Sequence, residues 1–205
     1  MLHNLLPKHY GTVFARLDAL PSFYSVPIMK ILKRILIAFF GVVVLLLLVS
    51  FFLRSHVHVE RSLVIQAPSE KVFELINTLK NWEKWSPWHK LDPQMKLQYE
   101  GAASGVGAKY TWESAQRNVG NGSLAITRTV PGELIQTAMD FREQGQATGL
   151  FKLERVPEGT KVTWSMDTDL GRNPIAKYFG LVMDKMVGPD FERGLNNLKS
   201  VAEAK

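Results

Sequence analysis

The sequence predicts an α+β domain, one antiparallel sheet with one long helix, preceded by a single membrane-spanning helix. Three observations carry this. Residues 35–53, ILIAFFGVVVLLLLVSFFL, form a run of nineteen residues without a charge. Between His56 and Asp169, short alternating apolar runs are punctuated by Gly and Pro, the pattern of successive strands. The chain then closes on a stretch of helical periodicity from Pro174 to Ala204.

The N-terminal part divides in two. Residues 1–34 read as a basic segment with scattered aromatics and two prolines, Pro21 and Pro27. Met29, followed by Lys30, Ile31, Leu32, Lys33 and Arg34, reads as an alternative translation start. Residues 35–53 read as the transmembrane helix. At 1.5 Å per residue they reach about 28 Å, close to the roughly 30 Å hydrocarbon core. The run is longer than a secretory apolar region and ends Phe51, Phe52, Leu53, Arg54, with no small-residue cleavage site. Arg16, Lys30, Lys33 and Arg34 precede the span, against Arg54, Arg61 and Lys71 after it. That asymmetry predicts a single-pass topology with the N-terminus inside and the domain on the extracytoplasmic, periplasmic side.

Charge and composition exclude several functions. The net charge is +6, but residues 1–54 hold six Lys/Arg against Asp18 alone, while residues 55–205 hold nineteen against eighteen acids. The basic excess sits where anionic head groups would meet it. The domain is near neutral and offers no electrostatic footprint for nucleic acid. The absence of cysteine excludes disulfides, thiol catalysis and Cys-based metal sites.

From His56 the pattern alternates. Val57, Val59, Arg61, Leu63 and Ile65 share one face of a strand. Pro68, Ser69 and Glu70 then start a helix with the acid at its positive end, carrying Val72, Phe73, Ile76 and Leu79. Trp82 and Trp85 lie one turn apart on a short helix that Pro87 ends. Six strands follow, at 95–100, 108–114, 123–130, 134–142, 148–156 and 161–169. Gly120-Asn121-Gly122 and Pro131-Gly132 mark turns between them. The long helix carries Ile175, Phe179, Val182, Met183, Met186, Phe191, Leu195 and Leu198, read as one apolar face, with a kink or break expected at Gly188-Pro189. Such a helix can cover one side of the sheet in a two-layer domain.

This order, with its residues, resembles the helix-grip fold of the START-like or SRPBCC superfamily, most closely its polyketide cyclase/dehydrase-like group. The resemblance rests on Ala67-Pro68-Ser69-Glu70-Lys71-Val72-Phe73, Trp82 with Trp85-Ser86-Pro87-Trp88, and Gly105-Val106-Gly107-Ala108 before Tyr110 and Trp112. It continues through Val130-Pro131-Gly132-Glu133, Gly159-Thr160-Lys161-Val162-Thr163-Trp164, and the final run from Gly188 to Lys199. It covers residues 57–204. It implies a curved sheet gripping the long helix around an apolar cavity that takes a hydrophobic small molecule or lipid. It brings no catalytic residue, because these differ between branches of the superfamily.

Strand alternation then nominates the cavity lining as Tyr110, Trp112, Ile135, Met139, Phe151, Leu153, Val162, Trp164 and Met166, faced by Met183 and Met186 from the helix. The competing reading is that these residues fill a solid core. Trp82, Trp85 and Trp88 are candidates for an entrance, or alternatively pins for the short helix. His89 is the one central histidine. His56 and His58 form the only histidine pair, too little for a metal site. The stretch from Gly101 to Gly107 lacks the Gly-Lys-Ser/Thr of a phosphate loop. No cofactor and no catalytic residue is expected. The leading expectation is a membrane-anchored binding module for a hydrophobic ligand. The alternatives are a cyclase-, aromatase- or hydrolase-like enzyme, or an interaction domain of an envelope complex.

Overall fold

A computed structural model describes residues 25–204. The first part of the basic segment, and with it the choice between Met1 and Met29 as start, lies outside the described residues. Helix α1 spans Ser25–Phe52. It begins well before residue 35, so Lys30, Lys33 and Arg34 ride on it. Pro27 falls in its first turn, where a missing N–H leaves no intrahelical bond unmade. The stretch Ile28–Phe52 is almost wholly exposed and is long and apolar enough to cross a membrane. The chain divides after Leu47 into two compact units.

The second unit holds a seven-stranded antiparallel sheet in the order β1-β7-β6-β5-β4-β3-β2. The strands are β1 (His56–Ile65), β2 (Lys96–Gly101), β3 (Ala108–Glu113), β4 (Asn121–Val130), β5 (Leu134–Asp140), β6 (Gln146–Val156) and β7 (Gly159–Asp169). β2 to β7 form a meander, and β1 closes the far edge by pairing along its whole length with β7. Alternation places Val59, Ile65, Leu124, Ile126, Ile135, Phe151, Leu153, Val162 and Trp164 on one buried face.

Three short helices cover part of that face: α2 (Ser69–Asn77), α3 (Trp82–Trp85) and α4 (Pro87–Leu91). Pro87 ends α3 and also opens α4 as its first residue, where proline is well tolerated. The indole N–H groups of Trp82 and Trp85 donate to the carbonyls of Ile76 (2.7 Å) and Leu75 (3.0 Å) near the end of α2. They satisfy carbonyls that the helix terminus leaves without partners.

Helix α5 (Pro174–Glu203) runs against β1. Asn173 caps it, its side-chain oxygen accepting from the N–H groups of Ile175 and Ala176, with Pro174 at the first position. Of the kink or break expected at Gly188-Pro189, the break is absent: the helix continues through Pro189. Gly188 has another role. Arg61, inward on β1 and opposite Trp164, lays its guanidinium over Gly188, where a Cβ would overlap it. From there it donates to both oxygens of Asp184 (2.8 and 3.2 Å) and through Nε to Glu192 (2.8 Å). These two acids flank Gly188 by one helical turn on either side, so the glycine is a slot for the fork.

The apolar residues of α5 do not form one face. At 100° per residue, Ile175, Phe179, Val182 and Met186 cluster within about 60° of one another. Phe191, Leu195 and Leu198 lie roughly opposite. The structure agrees: the second set is buried, while Ile175, Phe179 and Met186 are about 60% exposed. The first half of α5 meets β1 with Gly180, beside Val57 and Leu170, and with Asp184. Its large apolar side chains point elsewhere.

Candidate functional site: the inner face of the sheet

The inner face has two parts of different character. One is filled with rings. Trp164 stacks on Phe191 of α5 (centroids 4.1 Å, planes 4° apart) and on Phe151 (4.8 Å). Trp85 and Trp88 meet Trp164 edge-on at 5.8 Å, and Trp82 meets Phe151 at 5.6 Å. Each such pair adds about 0.5–1.5 kcal/mol beyond area burial, and together they lock α3, α4 and α5 to the sheet. Trp82 and Trp85 lie inside this cluster and Trp88 is half-buried, so these three pin short helices to the interior in the structure.

The other part lies toward the β5–β6 hairpin. There Met139 pairs across the ladder with Ala147, and Met166 with Gly149. Gly149 leaves room for its neighbours: a Cβ on it would lie 2.5 Å from Thr137 Oγ1 and 3.2 Å from Met139 Cε. Trp112 closes over Gly122 and meets Phe141 at 5.9 Å. Met139 and Met183 are half-buried, Met166 is buried and Met186 is exposed. The remaining nominated residues, Tyr110, Trp112, Ile135, Phe151, Leu153, Val162 and Trp164, are all buried. The structure therefore brings ten of the eleven nominated lining residues into or against the core.

Two of the solvent-open depressions involve the sheet. One, of about 530 Å³, is lined by Arg128, Glu133, Lys152 and Arg155. The other, of about 330 Å³, is lined by small residues with Asp140, Asp167 and Asp169. Only Leu153 and Met139 of the nominated residues touch them.

Ionisable groups are sparse inside. His89 has both ring nitrogens buried without a hydrogen-bond partner. Its ring meets Tyr110 at 6.2 Å. Burial holds its pKa below the ordinary imidazole value, opposed by the charge of Glu83. Burial also raises the Tyr110 phenol. Asp92 is buried, accepting from Ser114 Oγ (2.6 Å) and the N–H of Gln94. On the outer face His58 bonds Asp167 at 2.7 Å, which holds its pKa above the ordinary value. Among the described residues no group of three or more His, Asp or Glu is placed to hold a metal. The residues that sequence reasoning missed are Arg61 and the exposed set of α5. The angular separation of Phe191 from Ile175 carried a signal for the second.

A curved antiparallel sheet closed by a long C-terminal helix, with an apolar interior, defines the class as a helix-grip α+β protein. The comparisons specify it further. The model of the family described as polyketide cyclase / dehydrase and lipid transport matches residues 56–203, and the chain belongs to that family. Solved structures share the fold at low identity. A protein of unknown function from Staphylococcus aureus superposes with a TM-score of 0.54 at 15% identity, over 73% of this chain and 97% of its own. A protein from Chromobacterium violaceum gives 0.51 at 17%, over 73% and 99%. The di-domain ARO/CYC StfQ of the steffimycin biosynthetic pathway gives 0.55 at 13%, over 72% of this chain and 51% of that one. No curated protein matches the sequence.

Proposed function

We propose that the chain is a membrane-anchored domain that holds a hydrophobic small molecule or lipid against the inner face of its sheet, beside the first half of α5. The observation that carries this is the contrast within the inner face. One part is locked by stacked rings. In the other, Met139 and Met166 lie around Gly149 and Ala147. Methionine side chains have three rotatable bonds and reshape at low cost, so this part yields where the aromatic part does not. Thr137, buried beside Gly149, offers a single polar handle of the kind that orients a ligand in such sites. The family description, which includes lipid transport, supports the same reading. His89, the one histidine at the interior, has no hydrogen-bonded acid or base beside it, which favours binding over acid–base catalysis.

Helix α1 is the anchor in this reading. Its apolar side chains are exposed, and in water each would be a liability. The cluster Lys30, Lys33 and Arg34 supports an orientation with its N-terminal end in the cytoplasm and the domain outside.

Titration of the full chain in detergent with the fluorescent fatty acid cis-parinaric acid tests the binding. All five tryptophans lie in the domain, so energy transfer from tryptophan reports occupancy there. The expected result is saturable transfer that fatty acid competes away and that Met139→Trp, which fills the space, abolishes. Non-saturable transfer, equal in wild type and Met139→Trp, would overturn the proposal.

A further inference from the structure

We infer that the outward face of the first half of α5 rests on the lipid surface, as a second membrane contact beyond the anchor. The inference rests on the anchoring reading and adds an interaction surface to it. The face consists of Ile175, Phe179, Val182 and Met186, all exposed and gathered on one side of the helix. A helix packed on its own domain turns such residues inward. Here the inward side is Gly180, Asp184 and Gly188, so the usual pattern is inverted and a partner of apolar character is called for.

Three observations make that partner a bilayer. The face is held close to the end of the apolar helix. Lys177 Nζ donates to the backbone carbonyl of Ser50 (3.1 Å), and the N–H of Leu170, just before α5, donates to the carbonyl of Ser55 (2.9 Å). Only Leu53, Arg54 and Ser55 separate the end of α1 from β1, so no long linker carries the domain away from the span. Phe51 and Phe52, next to Ser50, are themselves 78% and 89% exposed and extend the apolar surface. The charge also fits. Between Gly171 and Val187 the one acid is Asp184, engaged by Arg61, while Arg172 and Lys185 supply cations for anionic head groups. An apolar stripe bordered by lysine and arginine is the composition of interfacial helices. A lipid lying against this face would also be beside Met183.

The absence of native cysteine allows a direct test on the full chain. Single-cysteine variants Phe179→Cys, Val182→Cys, Val44→Cys and Lys161→Cys are labelled with an environment-sensitive fluorophore. They are reconstituted in phosphatidylcholine–phosphatidylglycerol vesicles containing spin-labelled lipid. The expected result is strong quenching at positions 179 and 182 by shallow labels, at position 44 by deep labels, and several-fold weaker quenching at position 161. Quenching at 44 with positions 179 and 182 no different from 161 would overturn the inference and leave the anchor intact. Absence of quenching at 44 would remove the anchor and the inference with it. Pyrene excimer emission at 179 without lipid quenching would assign the face to a second copy of the chain, which also overturns it.

Discussion

Two phenylalanines on α5, one turned inward and one outward, offer a sharp comparison. Phe191 is 1% exposed, stacks on Trp164 at 4.1 Å and meets Trp88 edge-on at 6.4 Å. Phe179, three turns earlier, is 58% exposed. Truncating a buried phenylalanine to alanine costs about 3–5 kcal/mol through lost burial and the cavity left behind. The rigid ring stack around Phe191 resists collapse into that cavity, which places Phe191→Ala near the middle of the range or above it, at about 4 kcal/mol. Phe179→Ala removes little packing and should stay within about 0.5 kcal/mol of wild type. Urea unfolding in detergent, followed by tryptophan fluorescence, measures both, because every tryptophan lies in the domain. With a slope near 2 kcal/mol per molar, the Phe191→Ala midpoint falls by about 2 M. Equal losses from the two variants would refute the inverted packing of the first half of α5.

Further outcomes follow from the same structure. Trp82→Phe and Trp85→Phe each remove an indole N–H bond to the end of α2 and should lower domain stability by about 1–2 kcal/mol, measured by the same unfolding curves. The pKa values of the two histidines are displaced in opposite directions, which NMR of the imidazole protons can follow. His58 has a folded-state pKa above its unfolded value because of its bond to Asp167. Its stabilisation is full below about pH 6.5 and is lost as the pH rises through the folded value. His89 is depressed by burial, so its contribution is full above about pH 6.5 and is lost as the pH falls through the folded value. Coincident titration of both rings near the ordinary value would contradict the placement of His89. Gly159→Ala should weaken the β6–β7 hairpin. This glycine sits at φ 136°, and its added Cβ would press on the carbonyl of Ile65 and lie 2.9 Å from Gln66 Cα; thermal unfolding reads the loss.

Much of the architecture was legible in the sequence because it rests on local rules. Alternation from His56 to Ile65, the prolines at 68 and 131, and glycines at tight turns define strand limits whatever the tertiary setting. The seven strands stand within about two residues of those limits, with β4 starting at Asn121, inside the expected Gly120-Asn121-Gly122 turn. Interior membership was legible for the same reason: Trp164 and Phe151 alternate inward and are buried. What escaped depends on partners distant in sequence. Gly188-Pro189 reads as a kink or break, but the helix is continuous there, and Arg61, far earlier in the chain, occupies the glycine's empty side. The tryptophans at 82 and 85 read as entrance or as pin, and their indole bonds to the carbonyls of Ile76 and Leu75 depend on a fold that the sequence pattern does not spell out. Periodicity assigned the apolar residues of α5 to one face over too long a span. The drift between Ile175 and Phe191 separates them into two stripes, one for the core and one for another surface.

Native mass spectrometry of the full chain, released gently from detergent without delipidation, tests ligand binding most directly. The account predicts a discrete and reproducible mass increment of lipid or small-molecule size, lost in Met139→Trp. A bare mass from a protein that circular dichroism shows to be folded, and that gains no increment when fatty acid is supplied, would contradict it.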